Sequence, residues 1–169
     1  MSAMPRVRLF HWREDEAHAL IGELRQAGFT VDYQGPAANG RFRTMRESPT
    51  HAAVIDLTRM PSHGRYVAAE LRARKTLRHI PIVFVDGAPE KVDSIRKELP
   101  DATYTTRAKL PAVLKRVKPV SDPVQSPRMM DRYDRTAAQK MGIAGNARVA
   151  VVDAPPGYAK ALGAMPPGV

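Results

Sequence analysis

Apolar residues along this chain fall in short continuous runs separated by longer stretches of helical spacing. Val7-Arg8-Leu9-Phe10-His11-Trp12 reads as a first strand, and Glu14-Asp15-Glu16 then place acids where a helix dipole favours them. Ala17, Leu20, Ile21, Leu24 and Ala27 recur at helical spacing, and Gly28 marks the stop. Phe29 to Tyr33 alternates as a half-exposed edge strand does. After a Gly/Pro/Asn loop at 35–40, a short helix is predicted over Arg41 to Glu47. His51 to Asp56 is an apolar run ending in a carboxylate, the pattern of a strand buried on both faces of a parallel sheet. A helix follows near Gly64, with Val67, Ala68 and Leu71 inward, running to about Lys75. Pro81 to Asp86 is a fourth strand, and Pro89 opens a helix with Val92, Ile95 and Leu99 inward. Ala102 to Thr106 is a short fifth strand, and Leu110, Val113, Leu114 and Val117 line a last helix.

Strands alternating with helices predict an α/β domain with a doubly wound parallel sheet over residues 1–117. Each connection is long enough for a right-handed crossover. The Pro/Ser-interrupted stretch 118–130 reads as an extended linker. Residues 131–169 read as a tail with one short helix over Asp131 to Met141, a stop at Gly142, and one strand over Arg148 to Val152. A lone strand leaves its backbone groups unpaired. The tail is therefore expected to dock by strand addition through Val149, Val151 and Val152, with Tyr158 and Leu162 as anchors. It would add to the first domain of the same chain or exchange between two chains as a homodimer.

Composition narrows the chemistry. Cysteine is absent, which removes disulfides, thiolate catalysis and Cys-ligated zinc. No apolar run approaches the ~20 residues of a membrane helix, and the start has no signal-peptide core, so no membrane association and a cytoplasmic setting are expected. The net charge of +10 favours acidic partners. Along the sequence its carriers are dispersed, without aromatic platforms or zinc-finger spacing, so a solvated basic surface is the favoured reading and nucleic-acid association the lesser one. His18, His51, His63 and His79 show no ligand spacing, no serine lies in a nucleophile elbow, and no Gly-rich phosphate loop exists.

An Asp ending the central apolar run sits at the rim where open α/β sheets bind ligands. Asp56 with Pro61 and Gly64 behind it, Pro81 to Val85 as fourth strand and Tyr104 to Arg107 as fifth resemble the response-regulator receiver domain (CheY-like). The resemblance implies a flavodoxin-like five-stranded sheet of order 2-1-3-4-5, with Asp56 at the phosphoacceptor position. Other positions depart from the family. A carboxylate pair should end strand one to hold magnesium, a cation that demands oxygen ligands, but His11-Trp12 stand there. Asp86 replaces the Ser or Thr ending strand four, and Arg107 replaces the Lys on strand five. The loop Thr58-Arg59-Met60 is longer by a residue.

The family order would gather His11, Trp12, Asp56, Asp86 and Arg107 at one rim. The favoured reading is a salt-bridged cluster with Arg107 spanning both carboxylates and His11 capping them. Residual phosphorylation comes second. A zinc or manganese site on His11, Asp56 and Asp86 comes last. The expectation is a non-enzymatic, receiver-like module for signalling and protein interaction that has lost most of its phosphorylation site. It has no cofactor, magnesium entering only if Asp56 is phosphorylated. The tail phrases Lys140-Met141-Gly142-Ile143-Ala144-Gly145 and Ala154-Pro155-Pro156-Gly157-Tyr158 resemble the start of a small bacterial domain family of unknown function.

Overall fold

The computed structural model describes residues 4–35, 41–48, 50–125 and 137–169. The chain divides into two units, Met1–Arg128 and Met129–Val169. In the first, β1 (Arg6–Phe10), β2 (Thr30–Asp32), β3 (Ala52–Asp56), β4 (Ile82–Val85) and β5 (Thr103–Thr105) form one sheet. Its order is β2-β1-β3-β4-β5 and every pairing is parallel. The flanking helices are α1 (Glu14–Gln26), α2 (Arg41–Glu47), α3 (Pro61–Ala73), α4 (Pro89–Glu98) and α5 (Leu110–Leu114), the last preceded by a 3-10 turn over Arg107–Lys109.

The continuous apolar runs follow from helices covering both faces. Alternate residues of one strand enter different cores: Ala52 and Val54 pack with Leu20, Leu24 and Leu114, whereas Ala53 and Ile55 pack with Val67, Leu71 and Leu99. The fully buried Val, Leu and Ile side chains of the two layers, at ~1.5–3 kcal/mol each, supply the main drive to fold. All three acids of the predicted first turn of α1 lie there, and Gly28 takes φ +92, as a helix stop requires. Pro61 and Pro89 open their helices, where the missing N–H costs nothing.

Two buried arginines were invisible as such in the sequence. Arg8, which the sequence places among the solvated positives, is 1% exposed on the Phe10 side of β1. It donates to Asp32 at 2.7 Å and to Thr44 Oγ1 at 2.6 Å, joining β1 to β2 and α2. Its register partner across the ladder is Asp32, so opposite charges on neighbouring strands were the signal to find it. Arg72 in α3 is 2% exposed and bonds Asp101 at 2.8 Å and the carbonyls of Arg78 and Ile80 at 2.7 and 2.9 Å. Burial pulls its guanidinium below the ordinary value, against the upward pull of Asp101.

The start of the predicted linker is part of the first unit. Val120 N donates to the His79 carbonyl at 2.9 Å, His79 Nδ1 bonds the Val120 carbonyl at 2.8 Å, and Val124 N donates to Asp101 at 3.2 Å. The prolines that forbid a helix there leave an extended strap with donors and acceptors to offer.

In the second unit, α6 (Ala137–Lys140) and α7 (Tyr158–Leu162) pack together. Residues 131–136 of the expected tail helix lie outside the described residues; its last turn is present, and Gly142 stops it at φ +75. The expected strand at 148–152 is absent. Val149, Val151 and Val152 are 41, 51 and 80% exposed, so β-branching alone, without a neighbouring ladder, does not make a strand. Leu162 is buried within α7 and Tyr158 is half-buried. No helix among the described residues is long and apolar enough to cross a membrane.

Candidate functional site

The rim at the C-terminal ends of β1, β3 and β4 is built by tight packing behind Asp56. A Cβ on Gly64 would lie 2.7 Å from Leu57 Cδ2 and 3.0 Å from Ile55 Cγ2, so only glycine lets α3 start this close to β3. Gly87 stands at φ +103, and its Cβ would meet Leu57 Cβ at 2.8 Å, which draws the turn after β4 against the end of β3. Asp86 before it sits in the left-handed region at φ +53, a conformation Asp tolerates better than most residues.

Asp56 is 4% exposed. Its Oδ1 accepts from Thr58 N–H at 3.0 Å and from the Thr58 hydroxyl, closing the loop back on the carboxylate. The longer Thr58-Arg59-Met60 loop therefore brings its own donor to Asp56. His11, also 4% exposed, places Nε2 3.8 Å from the same oxygen. His11 Nδ1 accepts the backbone N–H of Arg13 at 3.1 Å, which leaves the ring hydrogen on Nε2, facing Asp56. Trp12 donates from Nε1 to the Asp56 carbonyl at 3.2 Å and lies against His63, centroids 4.4 Å apart, with Tyr66 beyond. The donor set beside Asp56 is thus an imidazole and an indole N–H. Asp56 Oδ2 has no hydrogen-bond partner among the described residues.

Two of the acids beyond strand one are taken up by arginines. Asp15 is held by Arg13, whose hydrogen bonds lower its carboxyl to about 2, and Glu16 is paired with Arg59 and lowered likewise.

The predicted five-residue cluster is only partly assembled. His11, Trp12 and Asp56 meet. Asp86 instead accepts the Arg107 backbone N–H at 3.2 Å, and its own N–H donates to the Thr105 carbonyl at 3.0 Å, so it ties β4 to the end of β5. The Arg107 guanidinium spans no carboxylate pair. It reaches Glu23 of α1 at 2.8 and 2.9 Å, where both side chains are well exposed at 39 and 52%. The hydrogen bonds from Arg107 hold the Glu23 carboxyl below its usual range. An exposed arginine with a long reach finds an acid in high dielectric more cheaply than a desolvated pair at the rim. No group of three or more side chains placed to hold a metal ion is found among the described residues, His11, Asp56 and Asp86, the last-ranked reading, included. An open cleft of about 460 Å³ lies to one side, lined by Asp86, Gly87, Val92, Arg96, Tyr104 and Lys109 among others, without Asp56 or His11.

The five-stranded order, the helices on both faces and a carboxylate at the end of the third strand decide the architecture. Residues 6–117 have the receiver fold. The receiver-fold unit is similar to a sensor protein from Polaromonas sp. JS666, at 23% identity and TM-score 0.56, over 66% of this chain and 94% of that one. It is similar to the chemotaxis protein CheY4 of Vibrio cholerae at 20% identity and TM-score 0.54, over 69 and 100% of the two chains. It also matches the receiver domain of a sensor histidine kinase from Pseudomonas aeruginosa PAO1 at 20% identity and TM-score 0.52, over 68 and 97%. That structure has magnesium coordinated in its active-site cleft. No protein-family model matches the chain, the tail with its resemblance included, and no curated protein sequence is significantly similar to it.

Proposed function

We propose that the receiver-fold unit is a non-catalytic signalling module that binds a protein partner in the cytoplasm without magnesium-dependent phosphorylation. One observation carries the reading: the rim beside Asp56 offers the His11 imidazole and the Trp12 indole N–H where a magnesium site needs oxygen ligands. A single carboxylate, one oxygen of which already takes the two Thr58 donors, is a poor donor set for a hard cation, so magnesium does not suit this rim. Asp86 adds negative charge near the site where a hydroxyl donor would assist a phosphoryl group.

The second reading, a phosphoacceptor receiver using Asp56, is favoured by the unpartnered Oδ2, an oxygen free to act as nucleophile. The two differ in magnesium dependence. Trp12, the only tryptophan of the chain, contacts the Asp56 backbone and reports on the rim. Titrating millimolar magnesium should leave its emission unchanged beyond an equal addition of sodium chloride. A saturable change, lost in Asp56→Asn, would decide for the second reading.

A further inference from the structure

In a doubly wound parallel sheet all strands start, and the helices that feed them end, at one edge of the molecule. Here that is the edge opposite Asp56, and it collects the positive charge that looks dispersed along the sequence. Arg6 opens β1, Lys75 and Arg78 lie between α3 and β4, and Lys115, Arg116 and Lys118 follow α5. Two histidines staple these segments together. His51, at the start of β3, donates its N–H to the Arg6 carbonyl at 2.7 Å and bonds the Leu114 carbonyl through Nε2 at 2.9 Å. His79 holds Val120 through two bonds of 2.9 and 2.8 Å and takes the Arg78 Nε–H at 3.3 Å. The strap after α5 is thereby drawn across the starts of β3 and β4, carrying Lys115, Arg116 and Lys118 between Arg6 and Arg78.

The six cations are exposed, Arg78 partly so, and none pairs with an acid among the described residues. The acids of this edge are already engaged: Glu47 with Arg43 at 3.1 Å, Glu70 with Arg74 at 2.7 Å, Glu98 with Arg65 at 2.8 Å and Asp101 with Arg72 at 2.8 Å, which leaves exposed Asp122 on the strap. Cations in the last turn of a helix balance its dipole. Lys115 caps α5 and Arg116 follows it, so the dipole accounts for part of their placement; Arg6, Arg78 and Lys118 stand clear of any helix end, and that account does not cover them.

We infer that this edge is a docking surface for the phosphate backbone of a double-stranded nucleic acid, read without regard to sequence. The inference stands apart from the chemistry of Asp56. Every described Phe, Tyr and Trp ring is buried or half-buried, and the exposed His79 imidazole at this edge is held by the Val120 carbonyl and the Arg78 guanidinium, so the edge has no stacking platform for single strands and no large aromatic anchors for a protein interface. Among the described residues Met4 is the one large apolar side chain exposed near Arg6 in sequence, too little to hold a bilayer surface by insertion. What remains is a row of guanidinium and ammonium donors across three adjacent strands and one flanking helix end. At ~4.8 Å per strand and ~10 Å per layer the row spans ~20–25 Å, the reach of a few successive phosphates on each strand of a duplex.

The test is fluorescence anisotropy of a labelled duplex with the full chain across a salt series. Binding at low salt should weaken with a log–log slope of about −4 to −5, as ~5 displaced counterions require. Lys115→Gln/Arg116→Gln/Lys118→Gln should lower affinity at least ~10-fold at fixed low salt and reduce the slope by about 3. Lys91→Gln/Lys109→Gln, at the Asp56 edge, should change neither. Circular dichroism of both variants confirms that they are folded. Equal losses in the two variants would overturn the proposal, as would tighter binding to the single strand. Binding to phosphatidylcholine vesicles carrying phosphatidylserine, with none to the duplex, would assign the edge to a membrane and overturn it too.

Discussion

Replacing Arg72 by Met is the sharpest test of how charge is arranged in this fold. Met keeps much of the apolar stem while removing every donor. Three hydrogen bonds disappear, to Asp101 at 2.8 Å and to the Arg78 and Ile80 carbonyls at 2.7 and 2.9 Å. The Asp101 carboxylate, 11% exposed, is left with only the Val124 N–H. Removing one member of a buried pair costs ~3–5 kcal/mol. The two carbonyls lie at loop positions that water can reach on relaxation, so they add at most about 1 kcal/mol. The expected loss is about 4 kcal/mol, a large share of the ~5–15 kcal/mol of a typical domain. Arg107→Ala should cost less than ~1 kcal/mol, because Arg107 and Glu23 are 39 and 52% exposed. Urea unfolding followed by Trp12 emission and far-ultraviolet circular dichroism separates the two. With a slope of ~1–3 kcal/mol/M, Arg72→Met should lower the midpoint by about 2 M and Arg107→Ala by a few tenths. Arg72→Met/Asp101→Asn should recover part of the loss, since no buried charge is then stranded. Equal midpoints for Arg72→Met and Arg107→Ala would refute the assignment of Arg72 as the buried tie.

Burial holds the Tyr104 phenol well above its ordinary value of 10.0, so the folded state keeps it neutral. Its contribution is fully present below the unfolded value, about pH 10, and is lost as pH rises toward the folded one; Tyr104→Phe should flatten that alkaline decline in urea midpoint while costing ~1 kcal/mol for the bond to the Leu99 carbonyl. An alkaline decline identical in wild type and Tyr104→Phe would show that the ring is not the group responsible. Gly87→Ala forces an L side chain to φ +103 with Cβ 2.8 Å from Leu57 Cβ and should cost at least about 2 kcal/mol by thermal denaturation; a variant as stable as wild type would mean that the turn after β4 is not held against β3.

The fold was legible because helices cover both faces of the sheet, which makes its strands read as unbroken apolar runs, and because Pro61, Pro89 and Gly28 punctuate the helices where backbone chemistry demands. All five strands and the helices between them fall where the periodicity puts them, within two or three residues. The rim was legible only as far as position. Asp56, His11 and Trp12 meet because adjacent parallel strands bring their ends together. Sequence order alone did not reveal where long side chains would turn. Arg107 had several acids within reach and took exposed Glu23; Asp86 spent its carboxylate on the Arg107 backbone N–H, 21 residues further along the chain. Arg8 and Arg72 were read as surface charge because a buried arginine differs from a solvated one only in its partners, Asp32 and Asp101. The tail strand failed for a related reason: Val149, Val151 and Val152 have the β propensity but no ladder in which to express it.

Mass spectrometry of the intact chain after incubation with acetyl phosphate and magnesium tests most directly whether Asp56 accepts a phosphoryl group. The rim of His11, Trp12 and the Thr58 donors predicts a spectrum indistinguishable from that of the untreated protein and from that of treated Asp56→Asn. A stoichiometric phosphoryl adduct on the wild-type chain that vanishes in Asp56→Asn would contradict it.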